Sequence, residues 1–125
     1  MTARILVVED NPANMKLATM LLERAGYQVS RAWNAAEGIA LARQQPSDLV
    51  LMDIQLPGMD GLEATRLLKA DAATRGIKVV ALTAFAMKGD EERILAAGCD
   101  GYIAKPFEYR DFLARVARLL AAERL

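Results

Sequence analysis

Histidine is absent from the 125 residues, and cysteine occurs once, at Cys99. Without histidine the chain can build no histidine-centred catalytic triad and no histidine metal site, and it cannot donate a phosphoryl group from phosphohistidine. A lone cysteine allows no disulfide within the chain, which fits a reducing cytosol. Cys99 reads as a small buried filler rather than a reactive thiol. Net charge is also lacking: sixteen basic residues face sixteen acidic ones. No global field draws the protein to nucleic acid or to an anionic membrane. No apolar run approaches the roughly 20 residues of a membrane helix. Met1 leads directly into a strand-like segment, which predicts no signal peptide and a cytoplasmic protein. Internal repeats, low-complexity tracts and linkers are missing too, so residues 1–125 are expected to form a single domain.

What is present is an alternation. Ile5–Val8 (ILVV), Leu49–Met52 (LVLM) and Val79–Leu82 (VVAL) are unbroken apolar tetrads, the pattern of strands buried on both faces. Tyr27–Arg31 is more polar and predicts an edge strand, and Tyr102–Ala104 the opposite edge. Helical spacing predicts helices over Asn14–Ala25, Ala35–Gln44, Leu62–Ala70, Met87–Ala97 and Tyr109–Ala122. In the last, Phe112, Leu113, Val116, Leu119 and Leu120 share one face. Gly26 and Gly98 stand where helix-ending glycines stand. Strands alternating with helices predict five βα units in an α/β, doubly wound parallel sheet.

The stretch "LVLMDIQLPG" starts as a core strand and breaks off at Asp53. Other polar residues hold the same place: Glu9 and Asp10 after the first strand, Thr83 after the fourth, Lys105 after the fifth. All lie at carboxyl ends, the edge where open α/β sheets build their sites. Three acids and a lysine, with no histidine or thiol, suit a hard cation such as Mg²⁺. A carboxylate in that setting can attack phosphorus and become an acyl phosphate. Taken singly, each of these residues also reads as a helix cap or a solvated loop residue. Their joint placement favours the functional reading.

The motifs "ILVVEDN", "DLVLMDIQLPGMDG", "VVALTA" and "GYIAKPF" resemble the receiver domain of two-component response regulators over essentially the whole chain. The resemblance implies a CheY-like, flavodoxin-like fold with strand order 2-1-3-4-5. It implies that Asp53 accepts phosphate from a histidine kinase or phosphotransfer protein. Asp10, Asp53 and the backbone carbonyl of Gln55 would be Mg²⁺ ligands, with Glu9 acting through water. Lys105 would pair with the phosphoryl group, Thr83 would move towards it, and Tyr102 would be the aromatic switch. Gln55 and Phe85 would tune phosphoryl lifetime, and Lys105–Pro106 would be a cis peptide. No substrate turnover is expected, so the protein is read as a phosphoacceptor rather than an enzyme.

"DNPANMKL" and "LTAFAMKGDEERILAAGCDGYIAKPF" resemble the free-standing, DivK-type receivers of bacterial cell-cycle circuits, and also receivers within hybrid histidine kinases. The start at Met1 and the short tail favour the free-standing form. Output would then run by protein contact through the face of the fourth helix, fifth strand and fifth helix, from a monomer or weak dimer. In the first helix, Leu17, Met20 and Leu21 form one apolar stripe and Met15, Ala18 and Leu22 another. Either one stripe is spare for a kinase, or both are partly core. Two rival readings remain, one sharing the strand-end aspartate chemistry and the other the sheet. A haloacid-dehalogenase-type phosphatase needs an acid where Gln55 stands, and a flavodoxin-like cofactor module needs a phosphate-cradling loop where Glu9 and Asp10 stand.

Overall fold

The computed structural model describes residues 2–84, 88–106 and 108–121. Strands and helices alternate: β1 (Arg4–Val8), α1 (Pro12–Arg24), β2 (Gln28–Ala32), α2 (Ala35–Gln44), β3 (Leu49–Asp53), α3 (Gly61–Ala70), β4 (Lys78–Thr83), α4 (Lys88–Ala96), β5 (Gly101–Ala104) and α5 (Tyr109–Ala121). The strands form one parallel sheet in the order β2-β1-β3-β4-β5, as expected. Register brings Val8 beside Met52 and Asp53 beside Leu82, so the carboxyl ends of the central strands finish nearly level.

The apolar tetrads are buried on both faces because successive side chains of a strand point to opposite sides. Leu6, Val8, Val50, Met52, Val79 and Ala81 join one core with α2, α3 and α4. Ile5, Val7, Leu49, Leu51, Val80 and Leu82 join the other with α1 and α5. Each fully buried large aliphatic side chain contributes about 1.5–3 kcal/mol, which makes this sheet a rigid base for whatever its edge carries.

The expected elements are all found, with ends displaced by a residue or two. α1 begins at Pro12 rather than Asn14, because Asn11 caps it by accepting the Asn14 amide at 3.0 Å and Pro12 takes the first helical position. Asp53 and Thr83 are the last residues of β3 and β4 rather than the first beyond them. Tyr27 belongs to the turn closing α1, where Gly26 adopts φ 95° and the Tyr27 amide reaches the Leu22 carbonyl at 3.1 Å. Gly98, at φ 102°, closes α4 in the same left-handed conformation.

The stripes of α1 divide unevenly. Met15, Ala18, Leu21 and Leu22 are buried, Leu17 is half-buried, and Met20 is 38% exposed, so Leu21 belongs with the core. Cys99 is buried, as expected. Among the described residues no helix is long and apolar enough to cross a membrane. Expectations at Met1, Phe85, Met87 and Ala122 lie outside the described residues.

Candidate functional site

Backbone hydrogen bonds at and beside Glu9, Asp53, Thr83 and Lys105 hold these residues at the sheet edge. The Glu9 amide donates to the Ala32 carbonyl at 3.0 Å, continuing the β1–β2 ladder by one step. The Ile54 amide reaches the Leu82 carbonyl at 3.1 Å, and the Lys105 amide the Thr83 carbonyl at 2.8 Å. Glu9 and Lys105 therefore extend the ladder, and the backbone that carries them is held as the strands are.

Five strand-end residues were expected to share a pocket, and four of them converge directly. The Lys105 ammonium donates to Glu9 Oε1 at 2.8 Å and to Asp53 Oδ2 at 3.0 Å. One carboxylate oxygen from each of Glu9, Asp10 and Asp53 lies within 4.8 Å of the others. Glu9 and Asp53 are almost wholly buried, at 1% and 3% exposure, while Asp10 faces solvent. The Gln55 amide donates to Asp53 Oδ1 at 3.0 Å and the Asn11 amide to Glu9 Oε2 at 3.3 Å. Thr83 is buried at the end of the neighbouring strand and lines a cavity of about 340 Å³ with Gln55, Leu56, Asp60 and Ile94.

The charges follow from this geometry. Burial, then the side chain of Asp53, push the Glu9 carboxyl above its usual range, against the pull of Lys105 and the Asn11 amide. Burial alone would lower the Lys105 ammonium, but its bonds to Glu9 and Asp53 outweigh that and hold it above the ordinary lysine value. Lys105 is thus a fixed positive charge wedged among the acids. The donor set is all hard oxygen, with buried, preorganised carboxylates. It fits a hard divalent cation, and Asp10 gives that cation a solvent-facing entry.

Tyr102 stands apart from this cluster. Its half-buried ring packs against the α2–α3–α4 side of the core, and its hydroxyl donates to Glu91 of α4. Its carbonyl accepts from Arg115 of α5 at 3.2 Å, so one residue of β5 ties both flanking helices. The bond to Glu91 raises the phenol pKa. Lys105–Pro106 is cis. Three participants had no place in the reading of the residues: the Asn11 amide, Glu91, and Gly61, whose amide donates to the Ile54 carbonyl at 3.0 Å just beyond Asp53. All three stand within the quoted motifs, but nothing in a one-dimensional pattern assigns them neighbours.

Fold and site together define a class: doubly wound α/β proteins with buried acids and a lysine at the carboxyl ends of the central strands. Among such proteins the comparison with known families is decisive. The chain belongs to the response regulator receiver domain family of two-component signalling, whose family model matches residues 5–117. It is 49% identical over 120 residues to the polar-differentiation response regulator DivK of Brucella ovis, covering 96% of this chain and 98% of that protein. The receiver domain of a Pseudomonas aeruginosa sensor histidine kinase, solved with a magnesium ion in its active-site cleft, superposes with a TM-score of 0.89. That pair is 36% identical over 98% of this chain and 100% of the other. CheY4 of Vibrio cholerae, at 24% identity, shares the fold with a TM-score of 0.91, covering 95% of this chain and 99% of its own.

Proposed function

We propose that this receiver is a phosphoacceptor: Asp53 takes a phosphoryl group from the phosphohistidine of a histidine kinase or phosphotransfer protein. The observation that carries this reading is the Lys105 ammonium shared between Glu9 and Asp53, with Asp10 beside them. An oxygen of Asp53 attacks phosphorus while the bond from phosphorus to the donor's imidazole nitrogen breaks. The electron pair of that bond stays on the ring, and an acyl phosphate remains on Asp53.

Asp10, Asp53 and the Gln55 carbonyl would hold Mg²⁺ directly, with Glu9 acting through water. The bound ion supplies positive charge that lets a phosphoryl group approach three acids. The receiver of the Pseudomonas kinase, which carries magnesium in its cleft, supports that choice of metal. Lys105 already touches Asp53 and pairs with the phosphoryl oxygens once they arrive. Asp53 Oδ1 is tied to the Gln55 amide, so the carboxylate is oriented before the donor docks. Thr83 donates its hydroxyl to the phosphoryl group, and Tyr102 responds, altering the face of α4, β5 and α5 for a downstream protein. The spare apolar surface of α1 at Leu17 and Met20 meets the kinase.

On this reading residues 1–125 are one receiver domain acting in the cytoplasm by protein contact. The domain turns over no substrate and has no nucleic-acid or membrane partner. It acts as a monomer or weak dimer. The extent of the match to DivK supports the free-standing form; likeness to a kinase receiver supports a hybrid-kinase module as the second form. Both share the same chemistry. The phosphatase rival is disfavoured because position 55, where it needs an acid, holds a glutamine.

The test is incubation with Mg²⁺ and a small phosphodonor, followed by intact mass measurement. One phosphoryl group per chain, lost in Asp53→Asn, is expected. Sustained hydrolysis of the donor would favour the phosphatase instead, and no modification with any donor or kinase would overturn the proposal.

A further inference from the structure

Gly61 opens α3 directly against the strand that carries Asp53. A Cβ at this position would meet the Asp53 carbonyl oxygen at 2.1 Å, the Asp53 carbonyl carbon at 2.8 Å and Ile54 Cα at 2.9 Å. All three are backbone atoms, so no change of rotamer can relieve the contact. The demand is for space and not for unusual dihedrals, since Gly61 is not among the glycines with positive φ.

The same residue closes the loop after β3. Its amide donates to the Ile54 carbonyl at 3.0 Å, and the Leu56 amide reaches that carbonyl at 3.2 Å. Asp60 secures the return by accepting the Glu63 amide at 2.9 Å, capping α3. Residues 54–60 therefore leave the sheet edge and come back within one hydrogen bond of where they left. Gln55 sits inside this closed loop with its amide on Asp53.

We propose that Gly61 is a positioning residue for the metal site. Its missing side chain sets how closely the first turn of α3 seats on β3, and that seating sets Gln55 relative to Asp53. The inference rests on the metal-dependent reading above, in which the Gln55 carbonyl is a ligand. Helix propensity alone argues the opposite way, because alanine is the better helix former. The effect of a methyl group here is therefore diagnostic.

The experiment compares Mg²⁺ titrations and amide NMR spectra of the wild type, Gly61→Ala and Gly89→Ala, all well below their melting temperatures. Gly89 lies in α4 with nothing near its would-be Cβ, which makes it the control. Gly61→Ala should raise the Mg²⁺ dissociation constant by about tenfold or more, the scale of lost support around a metal ligand. It should also shift the Asp53 and Gln55 amide signals in EDTA, while Gly89→Ala leaves both unchanged. If Gly61→Ala does not fold, Asp60→Ala carries the test. It adds no bulk, removes the cap, and should raise the constant by roughly threefold or more, the scale of a lost helix cap. A folded Gly61→Ala with wild-type affinity, or an unaltered Asp60→Ala where that variant is needed, would overturn the inference. A wild type that binds no Mg²⁺ would instead sink the reading beneath it.

Discussion

Replacing Asp53 with asparagine should make the metal-free protein more stable, although the residue is buried and hydrogen-bonded. Three ionised carboxylates with oxygens no more than 4.8 Å apart repel one another by at least about 3.5 kcal/mol per pair at an effective dielectric near 20. Asp53 feels two such repulsions, about 7 kcal/mol together, against an attraction to Lys105 at 3.0 Å of about 5.5 kcal/mol. The remainder is a net repulsion of about 1.5 kcal/mol, to which the desolvation of a nearly buried carboxylate adds. Asparagine removes both and can still accept the Gln55 amide bond through its own oxygen. The gain should be roughly 1–3 kcal/mol, or about 3–10 °C in melting temperature for a domain of this size. Asp10→Asn should gain less, because Asp10 faces solvent and its repulsions are screened. Lys105→Met should lose about 3–5 kcal/mol, since it strands Glu9 and Asp53 without a counter-charge. Excess Mg²⁺ should stabilise the wild type, by about 2.7 kcal/mol at a hundred times its dissociation constant, and either asparagine variant less. Thermal melts by circular dichroism in EDTA and in Mg²⁺ decide the matter. If both asparagine variants melt below the wild type in EDTA and gain as much from Mg²⁺, the acids are not a strained metal site.

Thr19 Oγ1 in α1 is buried without a hydrogen-bond partner, so the near-isosteric Thr19→Val should stabilise by about 1 kcal/mol; a lower melting temperature would refute that. Burial raises the Cys99 thiol pKa above 9.0, so folding favours the neutral thiol, and stability from this group is lost as pH climbs past 9.0 through the folded value. The wild type should weaken relative to Cys99→Ala across that alkaline range, and a constant difference would contradict it. Cys99 should also resist a thiol reagent until denaturant is added; prompt labelling of folded protein would show that it is not sheltered. A phosphoryl mimic should move NMR signals across Ala84–Ala97 and at Tyr102, and Tyr102→Phe should blunt the α4 part of that response. Changes confined to α2 would refute the assigned output face.

The sheet was legible because every central strand is an unbroken apolar run, and nothing but burial on both faces explains such runs in a chain with balanced charge. Their strand order came from the family resemblance, since β1 lies between β2 and β3 for reasons that no local pattern records. Boundaries were less legible. Asn11-Pro12 is a cap followed by a first-turn proline, yet the apolar period becomes visible only from Met15, and a start at Asn14 follows that period instead of the cap. Glu9, Asp10, Asp53, Thr83 and Lys105 could be placed at one edge because each directly follows or ends a strand. Contacts between elements were not legible. Glu91 meets Tyr102 across α4 and β5, and Gly61 meets the Asp53 carbonyl across the return of a loop. Both depend on how closely two backbones pack, and side-chain type alone does not encode that.

Charge balance at the edge explains why one lysine stands among three acids. With Glu9, Asp10 and Asp53 ionised and Lys105 protonated, the metal-free cluster carries two surplus negative charges, which a divalent cation would cancel. A second lysine would halve the surplus and weaken the attraction for the cation; no lysine would leave Glu9 and Asp53 buried without a counter-charge. If Asp53 takes the phosphoryl group as proposed, its single charge is replaced by about −1.5 to −2, the usual charge of a phosphate group near neutrality. The site then holds excess negative charge again, now on oxygens that project beyond the strand ends. Neutral donors at the same edge are what remain to meet it, and the Thr83 hydroxyl at the end of the adjacent strand is one. On that proposal, the switch would follow from the imbalance. Phosphorylation would bring back about a quarter to a half of the surplus that the cation had cancelled, and the Thr83 hydroxyl moving towards Asp53 would help to relieve it.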